Sequence, residues 1–122
     1  MKNINDYNKF LNESEGKSDE QMMWEILVPV KDNSGNKFPL SYHNEWDNFV
    51  ENLTGGLTVM RPAKGRWISP IGTKVHEKMI PCRIRCSEED INKIVDFTIK
   101  HYNQEAVAYY LVSPRFIIKY KK

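Results

Sequence analysis

No apolar run in this chain approaches the ~18 residues that a membrane-crossing helix needs, so no transmembrane span is expected. The opening stretch MKNINDYNKFLNESEGKSDE also lacks the apolar core of a signal peptide, and the expected location is the cytoplasm. Charge of either sign is scarce in excess: 18 Lys and Arg stand against 16 Asp and Glu, a formal net charge of +2. A balance this close argues against the electrostatic footprint of a duplex nucleic-acid binder. Cysteine is limited to Cys82 and Cys86. They flank Arg-Ile-Arg in a strand-like segment, which separates their Cα atoms by roughly 13 Å at about 3.3 Å per residue. A disulfide tolerates no more than about 7 Å, so both are expected to be thiols packed as small core hydrophobes. One C-x-x-x-C pair is a poor zinc signal. P-loop, G-x-S-x-G and H-E-x-x-H patterns are missing, and His43, His76 and His101 show no spacing that converges on a metal. No metal and no cofactor are expected.

What is present suits one small domain: 122 residues, 40% of them hydrophobic, with a polar mean hydropathy of −0.62. Ile4, Tyr7, Phe10 and Leu11 form a short helical stripe before a polar linker ending at Glu20. Residues 1–21 thus read as an N-terminal helix or flexible segment and residues 22–122 as the folded domain. Trp24, Ile26, Val28 and Val30 alternate as a first strand that Pro29 should end. Trp46, Phe49, Val50 and Leu53 recur at helical spacing, with Ser41 as expected N-cap and Gly55 or Gly56 as stop. GLTVM is a short second strand. HEKMIPCRIRC is a third, with Ile80, Cys82, Ile84 and Cys86 inward and Arg83 and Arg85 on the other face. Ser87 caps a helix whose first turn holds Glu88, Glu89 and Asp90 and whose end holds Lys100 and His101, both favourable to the helix dipole. AVAYYLV and RFIIKY, separated by Ser113-Pro114, read as a fourth and a fifth strand.

The order β-α-β-β-α-β is that of a ferredoxin-like α+β fold, an antiparallel sheet with two helices on one face. Its bare face would carry Arg83, Arg85 and one of the Tyr109/Tyr110 pair, so it is expected to pack against another subunit.

Between the second and third strands lies GRWISPIGTKVHEK, residues 65–78. Trp67 is either a hydrophobe covering the sheet edge or the wall of a pocket. Glu77 is either paired with Lys74 or Lys78 at a strand edge, a contact worth little, or the partner of a cationic ligand. Gln104 is either a helix exit or a ligand contact, and Arg61, Lys64 and Arg66 are solvated or bind an anion.

Five blocks occur in order: Glu45-Trp46-Asp47-Asn48-Phe49-Val50, Gly55-Gly56-Leu57-Thr58-Val59, Gly65-Arg66-Trp67, His76-Glu77-Lys78 and Gln104-Glu105-Ala106-Val107. Over residues 24–120 they resemble a bacterial family of unassigned role. The second half, with Arg83-Ile84-Arg85-Cys86, also resembles the bacteriophage S-adenosylmethionine lyases and the related cellular lyases of S-adenosylmethionine joined to AMP (SAM-AMP), a messenger of some type III CRISPR systems. The resemblance implies a homotrimer with sites at subunit interfaces and carries the family's glutamate over to Glu77. The family's aromatic is usually Tyr, and Trp67 stands in its place. The family's motif around the first strand and its loop is not clearly matched by PVKDNSGN.

The implied reaction is intramolecular: the substrate carboxylate attacks its own γ-carbon, expelling methylthioadenosine and leaving homoserine lactone. A sulfonium is already a good leaving group, so the protein must chiefly fold the methionyl arm into attack geometry, an effect of about 7–11 kcal/mol. It must also hold a cation, for which a carboxylate and an indole face suit, the latter contributing on the order of 2 kcal/mol when desolvated. Glu77 would anchor or polarise the methionyl part, Trp67 would line the pocket, and Gln104 would bond the substrate or orient Glu77. Arg61, Lys64 and Arg66 would meet the extra phosphate of the AMP conjugate. The alternatives are a non-catalytic adenine-nucleotide-binding oligomer or an interaction protein built on the open sheet face. Single-strand RNA binding lacks its aromatic and basic signature on the inner strands.

Overall fold

The structure, a computed structural model, describes residues 18–122, and the helix expected around Ile4–Leu11 lies outside them. Strand β1 covers Ser18–Pro29, helix α1 Leu40–Thr54, β2 Thr58–Val59, β3 Ala63–Ile68, β4 Lys74–Arg85, α2 Glu88–His101 and β5 Tyr109–Lys119. All pairings are antiparallel: β5 on β1, β1 on β4, and both β2 and β3 along the far edge of β4. This is the expected α+β, ferredoxin-like arrangement, with the second strand split. Val59 faces Cys82 but Ala63 faces Met79, so one extra residue bulges out where Pro62 removes a backbone donor.

Apolar alternation builds the covered face. Trp24, Ile26 and Val28 from β1 and Cys82 and Ile84 from β4 pack against Trp46 and Val50 of α1 and Ile91, Ile94 and Val95 of α2. Three buried donors beneath the helices are satisfied: the Trp46 indole donates to Thr98 Oγ1 (2.8 Å), whose hydroxyl donates to the Ile94 carbonyl (2.6 Å), and the Trp24 indole donates to the Cys86 carbonyl (3.2 Å). Cys82 and Cys86 are free and buried, and burial pushes both thiols up to about 12, so neither is a nucleophile. Ser87 caps α2 by accepting from the Asp90 amide, and Gly55 closes α1 in the left-handed conformation (φ 92°).

Several expectations are corrected. Helix α1 starts at Leu40 with Pro39 at the N-cap position and no side-chain cap, so Ser41 lies inside the first turn. Pro39 fixes φ at −59° at the helix entry, and its backbone carbonyl accepts from the Tyr42 amide (3.0 Å). The polar residues Ser18–Glu20, expected as linker, begin β1 and pair with Ile117–Lys119. The last two expected strands are one, because β5 is an edge strand where Pro114 needs no ladder partner; register shifts opposite Gln21–Trp24 absorb it. Residues 63–68 are a strand rather than a turn.

On the uncovered face Arg83, Glu25 and Tyr110 lie in one row across three strands. Glu25 is buried and accepts from Arg83 Nε at 2.9 Å. Tyr110 is 48% exposed and Trp67, on the same face by register, 47%, an unusual amount of aromatic surface.

Candidate functional site

Residues 65–78 form a hairpin, not a loop. Its turn is closed by Ser69 N–H to Thr73 O (2.8 Å) and Gly72 N–H to Ser69 O (2.9 Å), with Gly72 at φ 84°. Strand pairing sets Lys64 opposite Lys78, Gly65 opposite Glu77, Arg66 opposite His76 and Trp67 opposite Val75. Side chains alternate between faces along a strand. Trp67 and Glu77 therefore share the uncovered sheet face with Val75 and Met79, whereas Lys64, Arg66, Lys74, His76 and Lys78 occupy the reverse face. That geometry decides the first question about Glu77. Lys74 and Lys78 point away from it, and among the described residues Glu77 is in no ion pair. Across from Glu77, Gly65 makes room for the Met79 side chain: a Cβ there would sit 2.6 Å from Met79 Cε, which lies over the glycine.

Beside Glu77 is a cavity of about 390 Å³. Leu27 and Pro29 of β1 and Met79 of β4 give it apolar walls; Glu77, Gln104 and residues 31–33 give it polar ones. Gln104 arrives there because the chain leaving α2 turns at Asn103, in the left-handed conformation (φ 50°), while the Gln104 amide bonds back to the Ile99 carbonyl. Its side chain donates to the Tyr102 carbonyl (3.0 Å) rather than to Glu77. Residues 31–37, which overlap the unmatched PVKDNSGN stretch, form a tightly built loop. The Asp32 carboxylate accepts from the Ser34 and Asn36 amides (both 2.9 Å), Lys31 bridges Lys37, and Asn33 reaches the Asn103 carbonyl (3.4 Å). Asp-Asn-Ser-Gly turn chemistry accounts for the loop's shape, but nothing local in the sequence shows that Lys31, Asp32 and Asn33 wall a cavity.

A second cavity of about 340 Å³ is lined by Lys31, Lys64, Arg66, His76, Glu77 and Lys78, with Gly65. A third, about 290 Å³, holds Trp67 with Arg66, Ile68, Lys74, Val75 and His76. Within one chain, then, Glu77 and Gln104 meet in one cavity, and Lys64 and Arg66 meet beside Glu77 in another. Within one chain Trp67 and Glu77 share a face but line no common cavity. Arg61 lines none of the three; it lies with Pro62 in the break between β2 and β3. Elsewhere, burial lowers the pKa of His43, and the Tyr102 hydroxyl, itself pushed up by burial, lies 2.7 Å from His43 Nδ1 on the helical side. No group of three or more His, Cys, Asp or Glu among the described residues could hold a metal, and no helix there is long and apolar enough to cross a membrane.

The fold is shared with proteins of different roles. A phage S-adenosylmethionine lyase in complex with S-methyl-5'-thioadenosine aligns with 81% of this chain and 89% of its own, at a TM-score of 0.59 and 13% identity. The apo state of a phage S-adenosylmethionine lyase covers 84% of this chain and 92% of its own (TM-score 0.54, 13% identity). The periplasmic divalent cation tolerance protein CutA from Archaeoglobus fulgidus covers 77% and 82% (TM-score 0.55, 9% identity). At such identities the likeness is one of fold. No family model and no curated protein sequence matches the chain.

Proposed function

We propose that this protein is a lyase acting on S-adenosylmethionine or its AMP conjugate, with the Glu77–Gln104 cavity as its substrate site. The observation that carries the reading is that these two residues, which the resemblance pairs in one site, wall the same cavity. Its volume of about 390 Å³ falls within the usual 300–1,000 Å³ of small-molecule sites. An unpaired carboxylate beside Leu27, Pro29 and Met79 holds a sulfonium in a partly dry setting, where the attraction exceeds its value in water. The remaining amide proton and the carbonyl oxygen of Gln104 are positioned to hold the methionyl arm folded. The substrate's carboxylate oxygen then bonds its γ-carbon as the C–S bond breaks, and the electron pair leaves on sulfur. Methylthioadenosine, or its adenylated form, departs and homoserine lactone remains. In this reading Trp67 acts across an interface, as part of a neighbouring subunit's pocket in a homotrimer packed through the open sheet face, and action on the AMP conjugate removes a CRISPR messenger.

The test is direct. Incubation with each substrate, followed by chromatography, should yield methylthioadenosine or its adenylated form, and Glu77→Gln should nearly abolish the yield. Absence of both products, with Glu77→Gln indistinguishable from the parent, would sink the enzyme. Saturable binding heat without new species would leave the nucleotide-binding module instead.

A further inference from the structure

We propose that the reverse face of the β3–β4 hairpin, opposite Glu77, is a binding site for the phosphate ester of a nucleotide, formed by Lys31, Lys64, Arg66, His76 and Lys78. The inference rests on the proposed function for the nucleoside that carries the phosphate; the cationic face itself is independent of it. Pairing places Lys64 directly opposite Lys78, and Arg66 directly opposite His76. Like charges facing each other across a ladder destabilise a hairpin. Lys64 and Lys78 are such a pair, Arg66 faces His76 beside them, and among the described residues none of these side chains is in an ion pair. The nearest acid in sequence, Glu77, has its strand position on the other face but borders the same space. The side chains line one cavity of about 340 Å³. An arrangement that costs stability in the empty protein and concentrates donors around one space is suited to an anion. Arg66 supplies a planar fork for two phosphate oxygens, and the lysines supply compact charges around it.

The position of Lys31 connects the two sites. The β1–β4 ladder ends with the Val30 amide on the Lys78 carbonyl (3.4 Å), so the edge of β4 beside residues 75–77 is not covered by β1. Lys31 borders both cavities at that edge, and His76, Glu77 and Lys78 are common to the two. A ligand with a cationic centre and a phosphate can pass around this edge, placing the cation against Glu77 and the phosphate among the lysines. Arg61, expected in the phosphate clamp, is replaced by Lys31, His76 and Lys78.

Calorimetry on the full chain with AMP, adenosine and inorganic phosphate tests the site. AMP should bind at least about 10-fold tighter than adenosine, since charge-assisted hydrogen bonds exceed neutral ones. AMP should also bind tighter than inorganic phosphate and weaken as salt is added. The double variant Arg66→Gln/Lys78→Gln should lose that phosphate-dependent gain, with a melting temperature no lower than the parent's, which separates loss of binding from loss of fold. Glu77→Gln, which removes a carboxylate bordering the cationic cavity, should not weaken AMP binding. Equal affinity for AMP and adenosine would overturn the site. Inorganic phosphate binding as tightly as AMP would overturn its assignment to a nucleotide. A short single-stranded RNA held where AMP is not would mark a polymer surface instead. Phosphate-dependent AMP binding without lyase products would leave this site standing and remove the lyase; products without phosphate dependence would do the reverse.

Discussion

Strand β4 belongs to two different environments, and its halves can be compared residue by residue. At its C-terminal end Cys82 and Ile84 are at most 2% exposed beneath the helices. Toward its N-terminal end Lys74, His76 and Lys78 have the same parity and the same face, yet all are exposed. No helix covers them, and the chain changes from apolar residues to cations where cover ends. One end of the strand thus contributes burial and the other presents groups to ligand. Stability and chemistry should separate along it. Ile84→Ala should produce the largest loss, about 2–5 kcal/mol in a urea or thermal unfolding experiment, because a fully buried side chain leaves a cavity. Glu77→Gln, only a few residues away, should change unfolding by no more than about 0.5 kcal/mol, as exposed substitutions do. The same change should cut kcat/KM for the proposed substrate by about 100-fold, the scale of removing one preorganised electrostatic partner. If Glu77→Gln unfolds the protein, or Ile84→Ala leaves its stability unchanged, the division along β4 is wrong.

The buried polar pairs behind the sheet sharpen the contrast. Trp46→Phe removes the donor to Thr98 Oγ1, leaves a buried hydroxyl with one partner fewer and should cost about 1–3 kcal/mol. His43 should make stability depend on pH. Burial holds its folded pKa below the ordinary 6.5, so in the window just below 6.5 the unfolded chain binds the extra proton. Its contribution is therefore complete above pH 6.5 and is lost as pH falls toward the lowered folded value. Comparing unfolding midpoints of the parent and His43→Asn from pH 7 to 5 checks this: the parent's midpoint should fall more steeply. A steeper fall in the variant would reverse the assignment.

Which parts of this architecture were legible in the sequence follows from what alternation and capping encode. Trp24, Ile26 and Val28 announced β1 because large apolar residues recur there at every second position. Ser87 with its acids announced α2, and Gly55 announced the end of α1. Strand β3 carried no such signal: of Ala63–Ile68 only Gly65 is less than exposed, so nothing in its composition alternates. Pro114 divided β5 in the sequence because an edge position, where proline is tolerated, is visible only once strand order is known. The candidate site was legible as a set of residues but not as a grouping. Register decides which side chains share a face, and a shift of one residue exchanges every pair. That is why Trp67 and Glu77 fall together while Lys64 and Arg66, equally near in sequence, lie behind them. Lys31 and Asn33 came from a distant loop whose packing no local pattern records.

The smallest expected effect tests the same comparison with opposite sign. Core substitutions near Ile84 can only subtract, because the native side chains fill their space. On the cationic face the native sequence is not the most stable one available to the hairpin, since Lys64 opposes Lys78. Lys64→Glu turns that repulsive pair into an attractive one and should stabilise the protein by about 0.2–1 kcal/mol. The gain should shrink in 1 M salt, where exposed charges are screened within about 3 Å. Phosphate-dependent AMP binding should fall in the same variant. A gain in stability accompanied by a loss of binding is the pattern of residues kept for a ligand rather than for the fold. If Lys64→Glu stabilises and binding is unchanged, Lys64 is removed from the site and the charge pair is only a tolerated surface feature. If it destabilises, the two lysines do not face each other in solution, and the register that places Glu77 opposite Gly65 falls with them.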